Sequence, residues 1–556
     1  MPLLRNSIIP HGQRFWLATW VLVCLLGPAA ARADAKDEAD EVESFRCMTW
    51  NIWHGGREDG PEDGVRRVIE TIQSSGADVV ALQETYGSGE KIAEALGFHF
   101  HPRGTNVSLL SRFRIVEDIS VFEPFKCVGA LIELPSSRRI AVFSIWLPFD
   151  GDIWRPGTRE GKSRQELLQV CQPSYVDLTE LWRQIQQRLS DTRYAGIPII
   201  IAGDFNSMSG LDYVQYAVDQ YGVAVDWPTS RVLREAGFHD AWRECFPEVD
   251  RLRDRTWSPR FPDQEQDRID FIYYRGPGMH AIQTERIDHH PEKFPSDHAA
   301  VVAQFAVLAA TPEGLPLRAV SYNIRHGLGS DGAFDLERTA AVLGNLRADV
   351  IGLQEVDLAT TRSKGIDEPE WLAERLGMQS AFGRFMDFQG GQYGLATLSR
   401  FPILERRVVE LPTGNEPRVA LAIRIDPDGH GRALWVVNLH LDWVADDGFR
   451  FAQAEQLHRF LQQLTQPYVL LGDFNDRHGS RTVELLSRGA IEARKPSGAS
   501  NTYPATDPTI EIDFIFAHPA SRWRVGFCRV RAARRTSDHR PVSALLIHRP
   551  EPMSAP

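Results

Sequence analysis

The chain alternates between two spacings of apolar residues, which predict helices and strands in turn. Val65, Val68 and Ile72 fall three or four residues apart, as on one face of a helix, until Gly76 interrupts the pattern. The apolar run of residues 78–82 (DVVAL) follows, and short runs of this kind are typical of buried strands. The second half of the chain repeats this order of helical spacing and apolar run. The alternation predicts an α/β chain.

Further segments predict where other elements lie. Residues 90–97 (EKIAEALG) and 370–377 (EWLAERLG) predict helices that stop at Gly97 and Gly377, because glycine readily adopts the left-handed conformation that closes a helix. Residues 172–189 predict a longer amphipathic helix. Runs rich in β-branched and aromatic residues predict further strands at residues 139–147, 198–205, 268–274, 299–307, 433–441, 468–474 and 512–517.

The sequence is a tandem repeat of one long pattern. The offset between matching residues falls from 272 to 241 along the chain, because the first copy is longer, mainly within residues 149–196 and 207–268. A period of this length indicates two whole domains rather than small stacked units. The matching segments are 45–53 (FRCMTWNIW) with 317–325 (LRAVSYNIR), 77–84 (ADVVALQE) with 348–355 (ADVIGLQE), 110–112 (LSR) with 398–400 (LSR), 203–206 with 472–475 (both GDFN), 269–272 with 512–515 (both IDFI), and 296–298 with 537–539 (both SDH).

The repeat divides the chain into two predicted domains, residues 44–308 and 317–548, which we call the first and second copies. Residues 309–316 (AATPEGLP) join them, and their proline and glycine content is typical of a linker. We therefore expect each copy to fold around a core of its own.

The first 33 residues have the layout of a secretory signal peptide. Arg5 and Arg14 precede an apolar run, residues 15–26, that is shorter than the roughly 20 residues needed to cross a bilayer. Ala31 and Ala33 then supply a small-x-small cleavage site. Cleavage there predicts a secreted or periplasmic protein, and retention as an N-terminal anchor is the alternative. No later segment is long and apolar enough to predict stable membrane insertion.

The net charge of the chain indicates whether nucleic acid is a favoured binding partner. Residues 1–33 hold three Arg and no acid, so without them 59 Lys and Arg remain of 62, against 74 Asp and Glu, a net charge of −15. Proteins that hold nucleic acid through a broad face are basic, so this balance disfavours nucleic acid as the partner. It does not exclude a nuclease, because bound cations add local positive charge. The oligomeric state is left open.

The cysteines outside residues 1–33 are scattered and odd in number. They form no C-x-x-C pair, which disfavours a zinc ribbon, and at least one thiol must stay unpaired. An oxidising compartment would allow one or two disulfides within the first half, with the pairing undecided. The five cysteines are Cys47, Cys127, Cys171, Cys245 and Cys528.

Polar residues interrupt or end apolar runs at matching places in both copies. Burying an unpaired carboxylate costs free energy, so such groups need a metal, a cation or a hydrogen-bond partner. Oxygen-rich ligands without Cys suit Mg²⁺, Mn²⁺ or Ca²⁺ and leave other residues to orient water beside a phosphate. The residues are Asn51, Glu84, Asp204, Asn206 and Asp270 in the first copy, and Asn323, Glu355, His440, Asp473, Asn475 and Asp513 in the second.

In this order the N, QE, GDFN, IDFI and SDH segments resemble the motifs of the endonuclease/exonuclease/phosphatase superfamily, over residues 44–308 and 317–548. The resemblance implies an α/β (α+β) fold, a four-layer sandwich of two packed β-sheets flanked by helices, present twice in tandem. It further implies a divalent-metal-dependent enzyme that hydrolyses phosphate mono- or diesters by metal-assisted attack of water. With the signal peptide, the sequence predicts a secreted phosphoesterase.

The resemblance also implies a role for each motif residue. Metal ligands are expected at Asn323, Glu355 and Asp538 in the second copy and at Asn51, Glu84 and Asp297 in the first. Catalytic residues that orient water, contact the phosphate or transfer protons are expected at His440, Asp473, Asn475, Asp513 and His539, and at Asp204, Asn206, Asp270 and His298.

The first copy departs from the pattern at one position. Trp146 in SIWLP aligns with His440 in NLHLD, and an indole can neither accept a proton nor carry charge. We therefore predict the second copy as the principal active site, with the first as a weakened ligand-binding or scaffolding module as the alternative. A nuclease acting on DNA or RNA is the alternative for the substrate. Further candidates are Arg362, Tyr393, Arg418 and Trp443 for the second pocket, and His99, His101, His289 and His290 as replacements for the missing histidine.

Overall fold

The computed structural model describes residues 42–308 and 314–549. The predicted signal peptide, residues 1–33, lies outside the described residues, as does most of the predicted linker. Within the described ranges, no helix combines the length and apolar character needed to cross a membrane.

The first copy has its strands at β1 (Val42–Asn51), β2 (Val79–Gln83), β3 (His99–Arg103), β4 (Val107–Ser111), β5 (Arg114–Asp118), β6 (Cys127–Glu133), β7 (Arg139–Trp146), β8 (Ile199–Asp204), β9 (His239–Asp240), β10 (Asp270–Arg275), β11 (Met279–Ile287) and β12 (Ala300–Leu308). Its helices are α1 (Trp53–Gly56), α2 (Asp63–Ser75), α3 (Gly89–Leu96), α4 (Arg164–Val170), α5 (Gln172–Arg188), α6 (Val218–Tyr221), α7 (Pro228–Glu235), α8 (Ala241–Cys245) and α9 (Arg251–Asp254). Short 3₁₀ turns lie at Thr192–Tyr194 and Gln215–Ala217.

The second copy has its strands at β13 (Leu315–Asn323), β14 (Val350–Leu358), β15 (Gln379–Phe388), β16 (Gly391–Ser399), β17 (Ile403–Glu410), β18 (Val419–Ile425), β19 (Leu434–His440), β20 (Tyr468–Asp473), β21 (Ile491–Glu492), β22 (Asp513–His518), β23 (Trp523–Val530) and β24 (Val542–His548). Its helices are α10 (Leu336–Leu346), α11 (Glu368–Leu376), α12 (Gly448–Leu461) and α13 (Arg481–Leu486), with 3₁₀ turns at Arg325–Gly327 and Ala520–Arg522.

Two six-stranded sheets make up each copy. In the first copy the strand orders are β11-β12-β1-β2-β4-β3 and β5-β6-β7-β8-β10-β9. In the second they are β23-β24-β13-β14-β16-β15 and β17-β18-β19-β20-β22-β21. The two copies therefore share one topology, as their repeated sequence predicts.

The two sheets of each copy pack face to face around an apolar core. In the first copy Phe45 shares a buried apolar cluster with Val142 and Ile200 from the other sheet, and in the second Leu317 shares one with Val436. Because side chains alternate between the faces of a strand, the opposite faces of the same strands pack under helices. The result is a four-layer sandwich present twice, which confirms the predicted fold class.

The helix ends show which local predictions hold. Gly76, Gly97 and Gly377 close their helices with φ of +66°, +68° and +63°, as predicted. Helix α10 ends instead at Arg347 with φ of +55°, so a left-handed cap forms there without glycine. The amphipathic helix predicted at residues 172–189 is α5, whose apolar face covers the sheet that contains β7 and β8.

The cysteines that the structure describes form no disulfide. All five are free and buried, so the disulfides that the sequence allowed in the first half are absent from this part of the chain. Burial raises the pKa of the Cys47 thiol, in the core between the sheets, to about 12. An uncharged thiol of this kind packs as a small apolar side chain.

The two copies pack together as one compact unit that begins at residue 42. Ile282 and Ala306 of the first copy form a buried apolar cluster with Phe527 and Leu545 of the second. Strand β1 begins two residues before the predicted start of the first domain, and β13 begins inside the predicted linker. The domain limits themselves stay a prediction.

A buried carboxylate links the copies. Glu244 Oε1 lies 2.8 Å from Arg318 Nη1, and its Oε2 lies 3.2 Å from Arg347 Nη1. Burial alone would raise the pKa of Glu244, but the two guanidinium groups hold it well below its usual range. The buried charge of Glu244 in the first copy is thus neutralised by two arginines across the interface between the copies.

Candidate active sites

Polar residues gather at one end of the second copy because the strands that carry them end or begin there. Asn323 is the last residue of β13, Asp473 ends β20, and Asp513 begins β22. His440, the last residue of β19, pairs with Asp473 in a parallel register, and Asp473 pairs with Asp513 in an antiparallel one. The topology therefore brings four polar residues from two sheets to the same end of the sandwich.

Asn323 joins the two sheets at this end. Its Nδ2 donates to Glu355 Oε1 at 3.0 Å and to Asp473 Oδ2 at 3.2 Å. Its Oδ1 accepts from the backbone N–H of Arg325 at 3.1 Å, which fixes the amide orientation. Glu355 has φ of +55° where the pairing of β14 shifts register, and a bulge of this kind re-aims a side chain.

A line of charged groups runs from Asp513 through His539 to Asp473. His539 Nδ1 lies 3.0 Å from Asp513 Oδ2, and its Nε2 lies 3.6 Å from Asp473 Oδ2. Burial alone would lower the pKa of His539, but these two carboxylates raise it to about 10. His539 is therefore a charged imidazolium at neutral pH, and Asp513 fixes its orientation.

Asp473 is held so that its carboxylate can exchange a proton near neutral pH. Burial raises its pKa to about 7, against the opposing charge of His539. The backbone N–H of Asn475 donates to Oδ1 at 2.9 Å, while Oδ2 is the oxygen that faces the imidazoles. A carboxyl group that titrates in this range suits general base catalysis.

His440 is the second imidazole beside Asp473, with Nε2 3.5 Å from Oδ2. Burial, together with the charges of Arg418 and His539, lowers the pKa of His440 well below its usual range. Its Nδ1 is buried and has no hydrogen-bond partner. His440 is thus a neutral imidazole, which offers a donor and an acceptor rather than a charge.

A cavity of about 770 Å³ lies over these groups. Four residues on which the predicted site depends line it together, namely Glu355, Asp473, Asp538 and His539. His440 and Asn475 line it as well, while Asn323 and Asp513 are buried next to the wall. The four pocket candidates Arg362, Tyr393, Arg418 and Trp443 also lie in the wall.

Arg418 is a buried cation in this wall. Its side chain is 2% exposed, and its Nη2 lies 3.2 Å from Glu416 Oε2. Its Nε and Nη1 are buried without a hydrogen-bond partner, and its guanidinium lies 4.9 Å from the centre of the Phe385 ring. Guanidinium N–H groups of this kind suit the oxygens of a phosphate.

The carboxylate oxygens of Glu355 and Asp538 suit a hard divalent cation, while Asn323 holds Glu355 through Nδ2 and turns its Oδ1 to the Arg325 N–H. Burial raises the pKa of Glu355, and the nearby Asp538 charge adds to the effect. A cation beside them would favour the charged carboxylates that burial disfavours. Carboxylate and amide oxygens are also the ligand atoms that Mg²⁺, Mn²⁺ and Ca²⁺ prefer.

A second set of atoms in the same region is also close enough to hold a metal. Ligand atoms of Asp473, Asp513 and His539 lie within 4.8 Å of one another. Both ring nitrogens of His539 already face carboxylates, however, with Nδ1 3.0 Å from Asp513 Oδ2 and Nε2 3.6 Å from Asp473 Oδ2. We therefore interpret these three residues as an ion-paired group rather than as the metal ligands.

The first copy repeats this framework. Asn51 Nδ2 donates to Glu84 Oε1 at 3.1 Å and to Asp204 Oδ2 at 3.2 Å. His298 Nδ1 lies 3.0 Å from Asp270 Oδ2, and the charges of Asp270 and Asp204 raise the His298 pKa to about 10 against the effect of burial. Burial raises the pKa of Asp204 to about 7. The first-copy site therefore has the same arrangement of charged groups as the second-copy site.

The remaining first-copy residues also match, with one difference in burial. The N–H of Asn206 donates to Asp204 Oδ1 at 2.9 Å, as that of Asn475 does in the second copy. Asp297 is 7% exposed, and its Oδ1 is buried without a hydrogen-bond partner, whereas the side chain of Asp538 is 30% exposed. Burial raises the pKa of Asp297 to about 6. A buried carboxylate oxygen of this kind can be compensated by a cation.

Trp146 occupies the place of His440 in the first copy. It pairs with Asp204 in the register in which His440 pairs with Asp473. Its ring packs edge-on against Phe125, with centroids 5.7 Å apart, and against the core between the sheets. Asp204 therefore has one imidazole within 4.0 Å in the described structure, while Asp473 has two.

The four histidines considered as replacements do not join the first-copy site. His99 and His101 lie on β3 at the edge of a sheet. His101 and His290 pair with carboxylates outside the site, and the His289 side chain is 87% exposed. The proposal that one of them restores the missing imidazole is therefore wrong.

Sequence reasoning missed two aromatic residues that cover the charged imidazoles. The Trp257 ring lies 4.9 Å from that of His298, and the Tyr503 ring lies 4.9 Å from that of His539. Each follows a threonine whose hydroxyl accepts a backbone N–H at the start of β10 or just before β22. The only signal is the match of residues 256–257 (TW) with 502–503 (TY), which is too short to stand out among chance matches.

Comparison with known proteins supports the same family. The model described as Endonuclease/Exonuclease/phosphatase family matches residues 48–298 and 320–539. Uncharacterized protein F14F9.5 of Caenorhabditis elegans is 29% identical over 296 residues, which cover 48% of this chain and 92% of that protein. Uncharacterized protein YbhP of Escherichia coli (strain K12) is 29% identical over 225 residues, 38% of this chain and 88% of that protein. The structure of an endonuclease/exonuclease/phosphatase family protein from Bacteroides thetaiotaomicron aligns with a TM-score of 0.37 and 21% identity, over 42% of this chain and 99% of that one.

Proposed function

Because the chain belongs to the endonuclease/exonuclease/phosphatase family, we propose that it is a divalent-metal-dependent phosphoesterase whose second copy is the principal active site. Members of this family are hydrolases that act on phosphoesters. We infer that this chain hydrolyses phosphate mono- or diesters. The observation that carries the proposal is Asp473, a buried carboxyl group whose Oδ2 lies 3.5 Å from His440 Nε2 and 3.6 Å from His539 Nε2 beside a cavity.

Asn323, Glu355 and Asp538 are the residues that would hold Mg²⁺, with Mn²⁺ or Ca²⁺ as alternatives. Glu355 and Asp538 line the cavity and offer carboxylate oxygens as hard donors, and Asn323 supports the set through its bond to Glu355. When bound, the cation supplies positive charge that stabilises phosphoryl oxygens and makes nearby water more acidic. The matching residues of the first copy are Asn51, Glu84 and Asp297.

Asp473 would act as the general base on the attacking water, with Asn475 holding Asp473 in place. The water oxygen bonds to phosphorus as the bond from phosphorus to the leaving oxygen breaks. One proton of the water passes to the Asp473 carboxylate, and the leaving oxygen takes a proton from solvent. A pKa of about 7 suits this task, because the group is about half ionised at pH 7 and mostly ionised above it, yet remains basic.

Two positive side chains would stabilise the phosphoryl oxygens as negative charge builds on them. His539 presents Nε2 while Asp513 holds its Nδ1, and Arg418 presents guanidinium N–H groups that have no partner in the described structure. Neutral His440 adds a hydrogen bond. Preorganised donors of this kind act without having to reorient during the reaction.

The test uses the full-length chain, because the copies share the buried pairs of Glu244. In an Asp204→Ala background, which removes the first-copy base, the protein should hydrolyse p-nitrophenyl phosphate or bis(p-nitrophenyl) phosphate with Mg²⁺ or Mn²⁺. Adding Asp473→Ala or Glu355→Ala should lower kcat by about 100-fold or more. Turnover that survives both changes would rule the assignment out.

A second candidate function concerns the first copy alone, as a ligand-binding or scaffolding module with weakened chemistry. Trp146 favours it, because an indole cannot take the part of the neutral imidazole of His440. The test compares Asp204→Ala with Asp473→Ala, each alone. The module predicts that Asp204→Ala keeps most of the turnover, whereas equal losses would contradict it.

The proposal also covers where the protein is located and which class of phosphoester it hydrolyses. We infer export from the predicted signal peptide, so the protein recovered from the periplasm or medium should begin after residue 33, and an intact Met1 would contradict this. The acidic net charge favours small phosphoesters over nucleic acid. A panel of DNA, RNA, lipid-headgroup, sugar and inositol phosphates with Mg²⁺ tests that preference, and fastest turnover of DNA or RNA would reverse it.

A further inference from the structure

A carboxylate of the first copy holds the segment that leads into the second active site. Glu248 Oε2 accepts hydrogen bonds from the backbone N–H groups of residues 534 and 535, at 2.5 and 3.0 Å. Glu248 Oε1 accepts from Thr536 Oγ1 at 2.9 Å. Glu248 is 3% exposed, so these bonds are shielded from water. One side chain thus satisfies three donors of residues 534–536.

Residues 534–536 are continuous with the site. Ser537 follows them, and its Oγ donates to the backbone carbonyl of Asn323 at 2.7 Å. Asp538 and His539 come next and line the cavity. A shift of residues 534–536 would therefore be passed directly to a proposed metal ligand and to the charged imidazole.

The second copy contributes the other half of the contact. Ser330 Oγ donates to the backbone carbonyl of Arg534 at 2.7 Å, and the Ser330 N–H donates to that of Arg535 at 2.9 Å. The carbonyl groups of the segment are thus held by its own copy. Its N–H groups are held by Glu248 of the first copy.

Glu248 itself is anchored in a buried ionic network. Its backbone carbonyl accepts from Arg243 Nη1 at 3.2 Å and from Arg253 Nη2 at 2.5 Å. Arg243 also pairs with Asp212 at 2.8 Å and with Asp254 at 2.5 Å, and all three side chains are at most 2% exposed. These residues belong to segment 207–268, one of the two that make the first copy longer.

The first copy holds its own equivalent segment differently. The backbone carbonyl of Lys293 accepts from Arg67 Nη1 at 3.0 Å, and that of Phe294 accepts from Arg260 Nη1 at 2.7 Å. Both arginines belong to the first copy. Among the described residues, the second-copy segment is therefore held by a side chain of the other copy, whereas these two bonds tie the first-copy segment to its own copy.

We propose that Glu248 is a positioning residue for the second active site. Segment 207–268 of the first copy holds residues 534–536 so that Asp538 and His539 keep their places in the cavity. This inference rests on the proposed function of the second copy. It gives the first copy a part in the reaction that does not depend on its own chemistry. Residues that orient metal ligands typically alter metal affinity or activity by about 10- to 100-fold.

The test uses the full-length Asp204→Ala protein, so that turnover reports on the second copy. Adding Glu248→Ala should lower kcat and raise the Mn²⁺ concentration for half-maximal turnover, each about tenfold. It should also speed amide hydrogen exchange in the peptide that covers residues 530–541. Asn345→Ala is the matched control, because Asn345 Nδ2 donates to the Pro247 carbonyl at 2.9 Å across the same joint. It should leave all three measurements unchanged.

Equal kcat, Mn²⁺ requirement and exchange in Glu248→Ala and Asn345→Ala would overturn the positioning role. If Glu248→Ala does not fold, Glu248→Gln decides, since it keeps one acceptor oxygen and should give smaller losses of the same kind. Parental values in a folded Glu248→Gln would then overturn it. Calorimetric titration of the Asp204→Ala protein with Mn²⁺ separates the two proposals. A protein that neither binds Mn²⁺ nor hydrolyses the test esters refutes the proposed function, and the positioning role falls with it.

Discussion

Asp513 Oδ2 lies 3.0 Å from His539 Nδ1, and in the first copy Asp270 Oδ2 lies 3.0 Å from His298 Nδ1. In both copies this contact turns Nε2 of the imidazole toward the GDFN carboxylate. The acid–histidine pair is therefore the same in the two sites. The two sites differ in the residue in register with that carboxylate, which is Trp146 on β7 in the first copy and His440 on β19 in the second.

Replacing the acid of this pair in each copy should show which copy contributes more to kcat. Asp513→Asn removes the charge that holds His539 in its imidazolium form, and we expect kcat to fall by about 10- to 100-fold. Asp270→Asn is the matched control in the first copy and should cost much less. Steady-state kinetics with Mg²⁺ measure both. Equal losses would argue against the second copy as the principal site.

The number of metal ions bound per chain should test the proposed ligands Glu355 and Glu84 separately. With one site in each copy, calorimetry should find two Mn²⁺ ions per chain. Glu355→Gln and Glu84→Gln should each lower this number to one, because each removes a charged oxygen donor from one site. The double variant should bind neither ion at comparable affinity. A single variant that loses both ions, or none, would refute the ligand assignment.

A histidine at position 146 should restore part of the first-copy chemistry. In an Asp473→Ala background, Trp146→His places an imidazole in register with Asp204, and we expect kcat to rise above that of the parent background. The change removes a large, partly buried ring, so it should also cost roughly 3 kcal/mol of stability. Kinetics and thermal unfolding measure the two effects. Trp146→Phe is the control, and an equal kcat in both variants would contradict the role given to His440.

The buried charge between the copies should make stability depend on pH. Glu244→Gln leaves Arg318 and Arg347 without their buried partner, so we expect a loss of about 3–5 kcal/mol at pH 7. The folded pKa of Glu244 lies below its ordinary value of 4.5, so its contribution is complete above that value and is lost as pH falls toward the folded pKa. The difference between parent and variant should therefore shrink at low pH.

Denaturant unfolding at pH 7, 5 and 3.5 measures this difference. Glu405→Gln is the control, because Glu405 pairs with arginines at the solvent-exposed surface and should contribute little to stability. A Glu244→Gln difference that stays constant or grows as the pH falls would contradict the prediction.

The sequence predicts the fold and the assembly of the site because both depend on local patterns that occur twice. Asn323 and Asp473 sit at the ends of apolar strands, and the repeat shows that this placement is not accidental. Because neighbouring strands share a register, residues at matching strand ends must meet at one edge of the sandwich. The alignment of the two copies likewise predicts that Trp146 takes the place of His440, and the strand register confirms it.

Other features depend on contacts that no local pattern encodes. Glu248 and Glu244 act across the joint between copies, and their partners lie far along the chain. Trp257 and Tyr503 reach the imidazoles from loops of different length in the two copies. The sequence left disulfides open because the count of cysteines says nothing about whether their side chains lie close enough to bond.

Glu244 pairs with two arginines of the other copy, so neither half of this duplication can be replaced without disturbing the other. Splitting the gene, or swapping one half for a homologous single domain, would leave a carboxylate on one fragment and two guanidinium groups with an apolar face on the other. Neither half is therefore expected to be as stable alone as it is within the full chain.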